Sequence, residues 1–267
     1  MRQVHWIIQE NRGVVSNVAD MAAALKELGH VPHLVQLQRG AGVPELTDVP
    51  PDVPVVCHGP GFVTRAVGHP RLGSGIYYDA AVFRWSKFHE NWNAAMLAED
   101  GHLTSLGDAA SLLATGTRFF VRPDADSKDF DGNVYDAEGL AAATIRKPLP
   151  PDLPVIIASP LVIDAEWRFF VVQREVVACS AYRRGGQPAI DDHVPYAAIE
   201  MAISLAEQWS PADVFCLDLG ACEGRFGVIE ANCFNASRFY AANGVRILQA
   251  VSDYAARQFS SAVHPGL

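Results

Sequence analysis

The stretch Asp213-Val-Phe-Cys-Leu-Asp-Leu-Gly-Ala-Cys-Glu-Gly-Arg-Phe-Gly-Val-Ile-Glu-Ala-Asn-Cys-Phe-Asn-Ala-Ser237 decides how this chain is read. Two apolar arms flank Glu223-Gly224-Arg225, a glycine-bearing turn of three residues, and the pattern predicts a β-hairpin. A turn centred on Gly224 sets Asp218 opposite Glu230, with Asn232 two residues further on the same side. Opposed carboxylates repel unless a cation or a buried proton compensates. Three oxygen-bearing side chains on one face favour Mg²⁺ or Mn²⁺ over zinc, and Mg²⁺ held by few carboxylates usually shares its shell with substrate phosphates. The apolar residues Val214, Phe215, Leu217, Val228 and Ile229 argue against a merely solvated hairpin.

Cations on other predicted strands supply the phosphate side of such a site. Alternation along Arg118-Phe-Phe-Val-Arg122 puts Arg118, Phe120 and Arg122 on one face, and a polar loop with Lys128 follows Pro123. Glu166-Trp-Arg168-Phe-Phe-Val-Val172 places Glu166 and Arg168 on one face, and Val176 to Arg183 ends in an arginine. Singly, each cation is more often half of a structural salt bridge, for Arg122 with Asp124 or Asp126. Together with the acidic hairpin they favour a phosphate-plus-metal site, because cations in apolar strands need an anion.

From about Phe119 to Tyr240 the chain resembles the ATP-grasp superfamily. The resemblance is carried by Phe119 to Pro123, the Lys128 loop, the hinge-like strand Pro154 to Pro160, Glu166-Trp-Arg168 with Ser180 to Arg183, and Asp218 with Glu230-Ala-Asn232. It looks closest to an arginine-rich clade of bacteria and phages, since Arg122 stands where most members carry Lys. The resemblance implies an α/β chain in which two α+β lobes form an ATP-grasp fold behind a small N-terminal parallel-sheet domain. Expected bounds are 1–85 for that domain, 86–157 for one lobe and 158–267 for the lobe with the hairpin. The implied cofactors are ATP and Mg²⁺ (or Mn²⁺). Asp218, Glu230 and Asn232 are expected on the metal. Arg122, Lys128, Arg168 and the hinge residues Ser159 and Leu161 are expected on the nucleotide. The hinge carries Ala158 and Ser159 where Glu or Gln is frequent. The implied chemistry is an ADP-forming carboxylate–amine or carboxylate–thiol ligase working through an acylphosphate, with Arg168 and Arg183 at the reacting groups. An ATP-grasp small-molecule kinase and a non-catalytic nucleotide-binding module are the alternatives. Small-molecule or peptide carboxylates and amines are the expected partners.

Composition fits a cytoplasmic enzyme. The 267 residues are 49% hydrophobic and 19% charged, enough for a sizeable core. No apolar run approaches the ~20 residues of a membrane span, and no nucleic-acid partner is expected at a formal charge of −9. The five cysteines contain no CxxC pair and read as free thiols. Strands at Val4 to Ile8, His33 to Leu37 and Pro54 to His58, with a helix capped by Ser16 or Asn17 and ended by Gly29, predict the small parallel sheet. Further helices are expected over 88–99, 196–208 and 245–259. Gly68 to Ser74 has phosphate-loop glycine spacing but lacks the lysine. His58 and Arg65, after a strand of that sheet, are expected to contact the acceptor substrate. Ser237 is a third candidate there, and Arg183 to His193 reads as a lid loop.

Overall fold

The computed structural model describes residues 2–11, 18–38, 40–145 and 147–263. It opens with a parallel sheet in which β1 (His5–Gln9) lies between β2 (Val31–Val35) and β3 (Val55–His58). α1 (Val18–Glu27) joins β1 to β2, and α2 (Pro60–Ala66) follows β3. β2 begins two residues before the expected His33, because Val31 N–H already bonds the Val4 carbonyl at 3.0 Å. The caps expected at Ser16 or Asn17 lie outside the described residues.

Next come α3 (Trp85–Trp92), β4 (His102–Ser105), α4 (Leu106–Leu113), β5 (Phe119–Pro123), β6 (Asn133–Tyr135), α5 (Ala137–Thr144) and β7 (Pro154–Ala158). The four strands form an antiparallel sheet of order β4-β7-β5-β6. Ser105 starts α4 by accepting the Asp108 N–H and donating to its carboxylate, and Asp136 caps α5 through Gly139 N–H. The helix expected over 88–99 stops at Trp92, where Asn93 turns to a φ of 32°. Arg118 falls just outside β5 and is exposed.

The last part holds β8 (Ala165–Val172), β9 (Glu175–Arg184), β10 (Gln187–Asp191), α6 (Tyr196–Gln208), β11 (Val214–Cys222), β12 (Arg225–Cys233) and α7 (Gly244–Val263). The strands build an antiparallel sheet of order β10-β9-β8-β11-β12. The expected lid loop over 183–193 is largely strand: Gly185 and Gly186, both at positive φ, turn β9 into β10. Gly227 lets the chain after α3 lie on the outer edge of β12, since a Cβ there would stand 2.7 Å from the Leu97 backbone. Leu97 N–H bonds the Val228 carbonyl at 2.9 Å and covers part of that edge.

Alternation divides the five-stranded sheet. Odd-numbered Trp167, Phe169, Phe215, Leu217 and Leu219 enter a core with α3 and with the small-residue face Ala198, Ala202 and Ala206 of α6. The even-numbered face is apolar only at one end, where Phe170, Val172, Val214 and Cys216 meet α7 and the Trp6, Ile8 and Val56 side chains of the parallel sheet. At its other end that face carries Glu166, Arg168 and Asp218. Among the described residues no helix is long and apolar enough to cross a membrane.

Candidate active site

The β11–β12 hairpin reaches the expected pairing by a different route. Its turn has two residues, Glu223 and Gly224, both at positive φ, and Cys222 faces Arg225. That register alone would oppose Asp218 to Ile229. A bulge at Ile229 inserts one residue into β12 and restores Asp218 opposite Glu230. Arg168 of β8 faces Asp218 from the other side, so Arg168, Asp218 and Glu230 form one row across three strands.

The charges in this row are compensated by arginine. Arg168 holds Asp218 with two bonds, Nε to Oδ1 at 2.8 Å and Nη2 to Oδ2 at 2.6 Å. Arg122, reaching over from β5, donates Nη1 to Glu230 Oε2 at 2.7 Å. Asn232 Nδ2 bridges the carboxylates, 3.0 Å from Asp218 Oδ2 and 3.0 Å from Glu230 Oε1. Burial raises the Asp218 pKa in spite of Arg168. Burial pushes Glu230 the same way, but Arg122 and the Asn232 hydrogen bond outweigh it and hold that carboxyl down at about 2. Burial acts against the charge of Arg168, and Asp218 overrides it and raises the guanidinium pKa. The acids named from sequence for Arg122 pair with other cations: Asp124 with Arg84 at 3.8 Å, besides accepting from Ser86, and Asp126 with Lys128 at 2.8 Å.

A second bulge supplies what the strand pattern missed. Glu166 pairs with Arg183 and Trp167 with Ala181, leaving Tyr182 as the extra residue in β9. Strict alternation would send Tyr182 and Arg183 to opposite faces. Here both reach Glu166, through Tyr182 O–H at 2.7 Å and Arg183 Nη1 at 3.1 Å. The guanidinium of Arg168 lies over the Tyr182 ring at 5.7 Å and the Tyr240 ring at 5.5 Å, and the two rings stack. Neither tyrosine carries a local signal for this role. Tyr240 is positioned by the chain after the hairpin, at a φ of 52°.

A cleft of about 380 Å³ lies between the four- and five-stranded sheets, with Arg122 and Lys128 on one wall and Glu166, Arg168, Arg183, Asp218 and Glu230 on the other. Lys128 sits at a φ of 52° with its side chain 75% exposed. A smaller apolar cavity of about 90 Å³ adjoins, sharing Phe120, Arg122, Ile163 and Ile229 and lined also by Trp85, Ser159 and Leu161. The Ser159 N–H is already bonded to Asp100 Oδ2 at 3.0 Å.

Three candidate acceptor contacts lie elsewhere. His58 is 1% exposed and packs against the Phe234 and Phe239 rings, so no substrate in the cleft reaches it. Ser237 is buried with its hydroxyl on the Phe234 carbonyl. Arg65 is half-buried on α2 and lines neither cavity. Strand order alone pointed to the end of β3, which α2 and the chain after the hairpin cover.

Among the described residues no group of three or more His, Cys, Asp and Glu is arranged to hold a metal ion. The two carboxylates, with the amide oxygen that Asn232 would present on turning its side chain, would offer hard oxygen donors of the kind that Mg²⁺ or Mn²⁺ takes.

The sequence family described as "ATP-grasp domain, R2K clade family 3" matches residues 27–252. A search of curated proteins finds no match. Among solved structures, the chain is similar to a RimK domain protein ATP-grasp from Sphaerobacter thermophilus, with TM-score 0.61, 15% identity, and 94% of this chain and 98% of that chain covered. It is also similar to the D-cycloserine synthetase DcsG, with TM-score 0.61, 13% identity, and 94% and 99% covered. For the D-alanine--D-alanine ligase of Bacillus anthracis the TM-score is 0.56 and the identity 12%, with 98% and 100% covered.

Proposed function

The chain belongs to the ATP-grasp domains of R2K clade family 3, and on that premise we propose that it is an ADP-forming ligase joining a carboxylate to an amine or thiol. The observation that carries this reading is the row Arg168, Asp218 and Glu230 faced by Arg122 across the cleft. Such a wall presents oxygen donors for a divalent ion beside cations for phosphate, and needs no protein nucleophile.

Arg122 and Lys128 hold the triphosphate from one side and Arg168 from the other, while Ser159 and Leu161 border the apolar cavity that takes the base. Asp218, Glu230 and Asn232 would hold Mg²⁺, which supplies charge neutralisation between phosphate oxygens. Arg168 is the best-fixed cation, since Asp218 and the two tyrosine rings orient it. It stabilises charge on the migrating phosphoryl group without reorganising. Arg183 and Glu166 stand further along the same wall and orient the acceptor carboxylate and the incoming amine. Small molecules or peptides are the proposed substrates, and the free thiols accord with the cytoplasm.

Incubation with ATP, Mg²⁺ and pooled amino acids or small peptides, followed by ADP release and mass analysis, tests this. ADP with a new amide or thioester is expected. A phosphorylated small molecule would make the protein a kinase, and nucleotide binding without product a binding module.

A further inference from the structure

All four carboxylate oxygens of Asp218 and Glu230 already accept a hydrogen bond. Each oxygen that accepts one bond keeps a second lone pair, but a divalent ion taking it would stand beside the guanidinium already on that carboxylate, and repulsion between the two cations favours one of them giving way. Arg168 is badly placed to do so. Its side chain is only 11% exposed, grips Asp218 through two bonds and lies over Tyr182 and Tyr240. Asn232 has only to turn its amide, exchanging N–H for a carbonyl oxygen. Arg122 differs from both, because it comes from the other sheet. One strong bond joins it to Glu230, and its remaining contact is a 3.3 Å bond to the neighbouring Pro123 carbonyl. It also lines both cavities.

We propose that Arg122 is a placeholder cation. It neutralises Glu230 until a divalent ion arrives with nucleotide, and then passes to the phosphates. This rests on reading the cleft as a metal–nucleotide site and adds the order in which that site fills. The ion alone must displace Arg122 with nothing to receive it, so it binds weakly. Nucleotide offers Arg122 a replacement anion, and metal and nucleotide therefore strengthen one another. The swap also exchanges a contact between the two sheets for one through the ligand.

Mn²⁺ followed by electron paramagnetic resonance, with and without a non-hydrolysable ATP analogue, tests this without turnover. The wild-type protein should bind Mn²⁺ alone weakly and far more tightly with the analogue. Arg122→Gln should raise the affinity for Mn²⁺ alone by roughly tenfold or more, since a competing state that occupied most molecules is gone, and should shrink the enhancement by analogue. Arg122→Lys, which keeps a cation but not the fork, should fall between. Unchanged Mn²⁺ affinity in both variants overturns the placeholder. Glu230→Gln separates the underlying reading: if, against a control of Mn²⁺ with the analogue alone, it binds Mn²⁺ and analogue as tightly as the wild type, the metal assignment itself fails, whatever Arg122 does.

Discussion

The parallel three-stranded sheet and the antiparallel four-stranded sheet both stand beside the five-stranded sheet, and they meet it through different chemistry. The parallel sheet has no separate interior on its inner face: Trp6, Ile8 and Val56 share one cluster with Phe170, Cys216, Phe234 and α7. Asn235 fastens this seam. Its Nδ2 reaches the carbonyls of Cys57 and Gly75, its Oδ1 accepts from Tyr77 N–H, and its carbonyl accepts from Gly59 N–H. The four-stranded sheet closes a core of its own from Leu106, Leu113, Val121, Leu140 and Ile157, and of its described strand residues Ile156 alone joins the core under the five-stranded sheet. It faces the five-stranded sheet across the cleft, and Arg122 to Glu230 is the ion pair that spans it. Burial makes the first junction rigid, while a cleft bridged by charge can open at modest cost. One sheet is a fixed platform, and the other is suited to be the moving jaw of a clamp.

The sharpest way to break this contrast is Asn235→Ala. It leaves several buried backbone groups without partners and should cost about 4 kcal/mol, with amide exchange rising together in β1, β3 and β8 to β12. Exchange confined to β1 and β3 would show that the parallel sheet is a separate unit. Leu113→Ala should cost about 3 kcal/mol and raise exchange in β4 to β7 while β1 to β3 stay protected. Global loss of protection would contradict an independent jaw.

His58 sharpens the seam through pH. Burial lowers its pKa from 6.5 to about 4, against a raising influence of the Ser237 backbone. The unfolded chain therefore binds more protons between those values, and stability contributed above about 6.5 is lost as pH falls toward about 4. Denaturant melts should show roughly 2 kcal/mol less stability by about pH 5, a loss that His58→Leu abolishes. The smallest effect is expected at the cleft. Arg122→Ala should lower stability by only about 1 kcal/mol, because its pair is partly exposed, yet weaken ATP binding clearly by calorimetry. Unchanged ATP affinity would remove Arg122 from the site.

Asp218, Glu230 and Asn232 were legible because a hairpin is local: apolar arms, a glycine turn and period-two alternation place them within twenty residues of one another. Arg122 and Arg168 were legible as cations stranded in apolar strands. Even so, the local argument reached the Asp218 to Glu230 pairing through two cancelling departures, a shorter turn and an added bulge. Bulges leave no compositional mark here, which is why Tyr182 went unnoticed beside Arg183.

Residue order and alternation thus determined the acidic hairpin and the cations set in apolar strands, since those depend on neighbours a few residues apart, and the motifs they form resemble those of the superfamily. Tertiary packing decided who neutralises whom. Only when β5 crosses the cleft does Arg122 choose Glu230 over the adjacent Asp124 and Asp126, and only when α2 and the chain after the hairpin close over β3 does His58 become core instead of contact. Arg122 and Glu230 are 108 positions apart, and His58 is covered by Phe234 and Phe239 from the far end of the chain, contacts that no local pattern encodes.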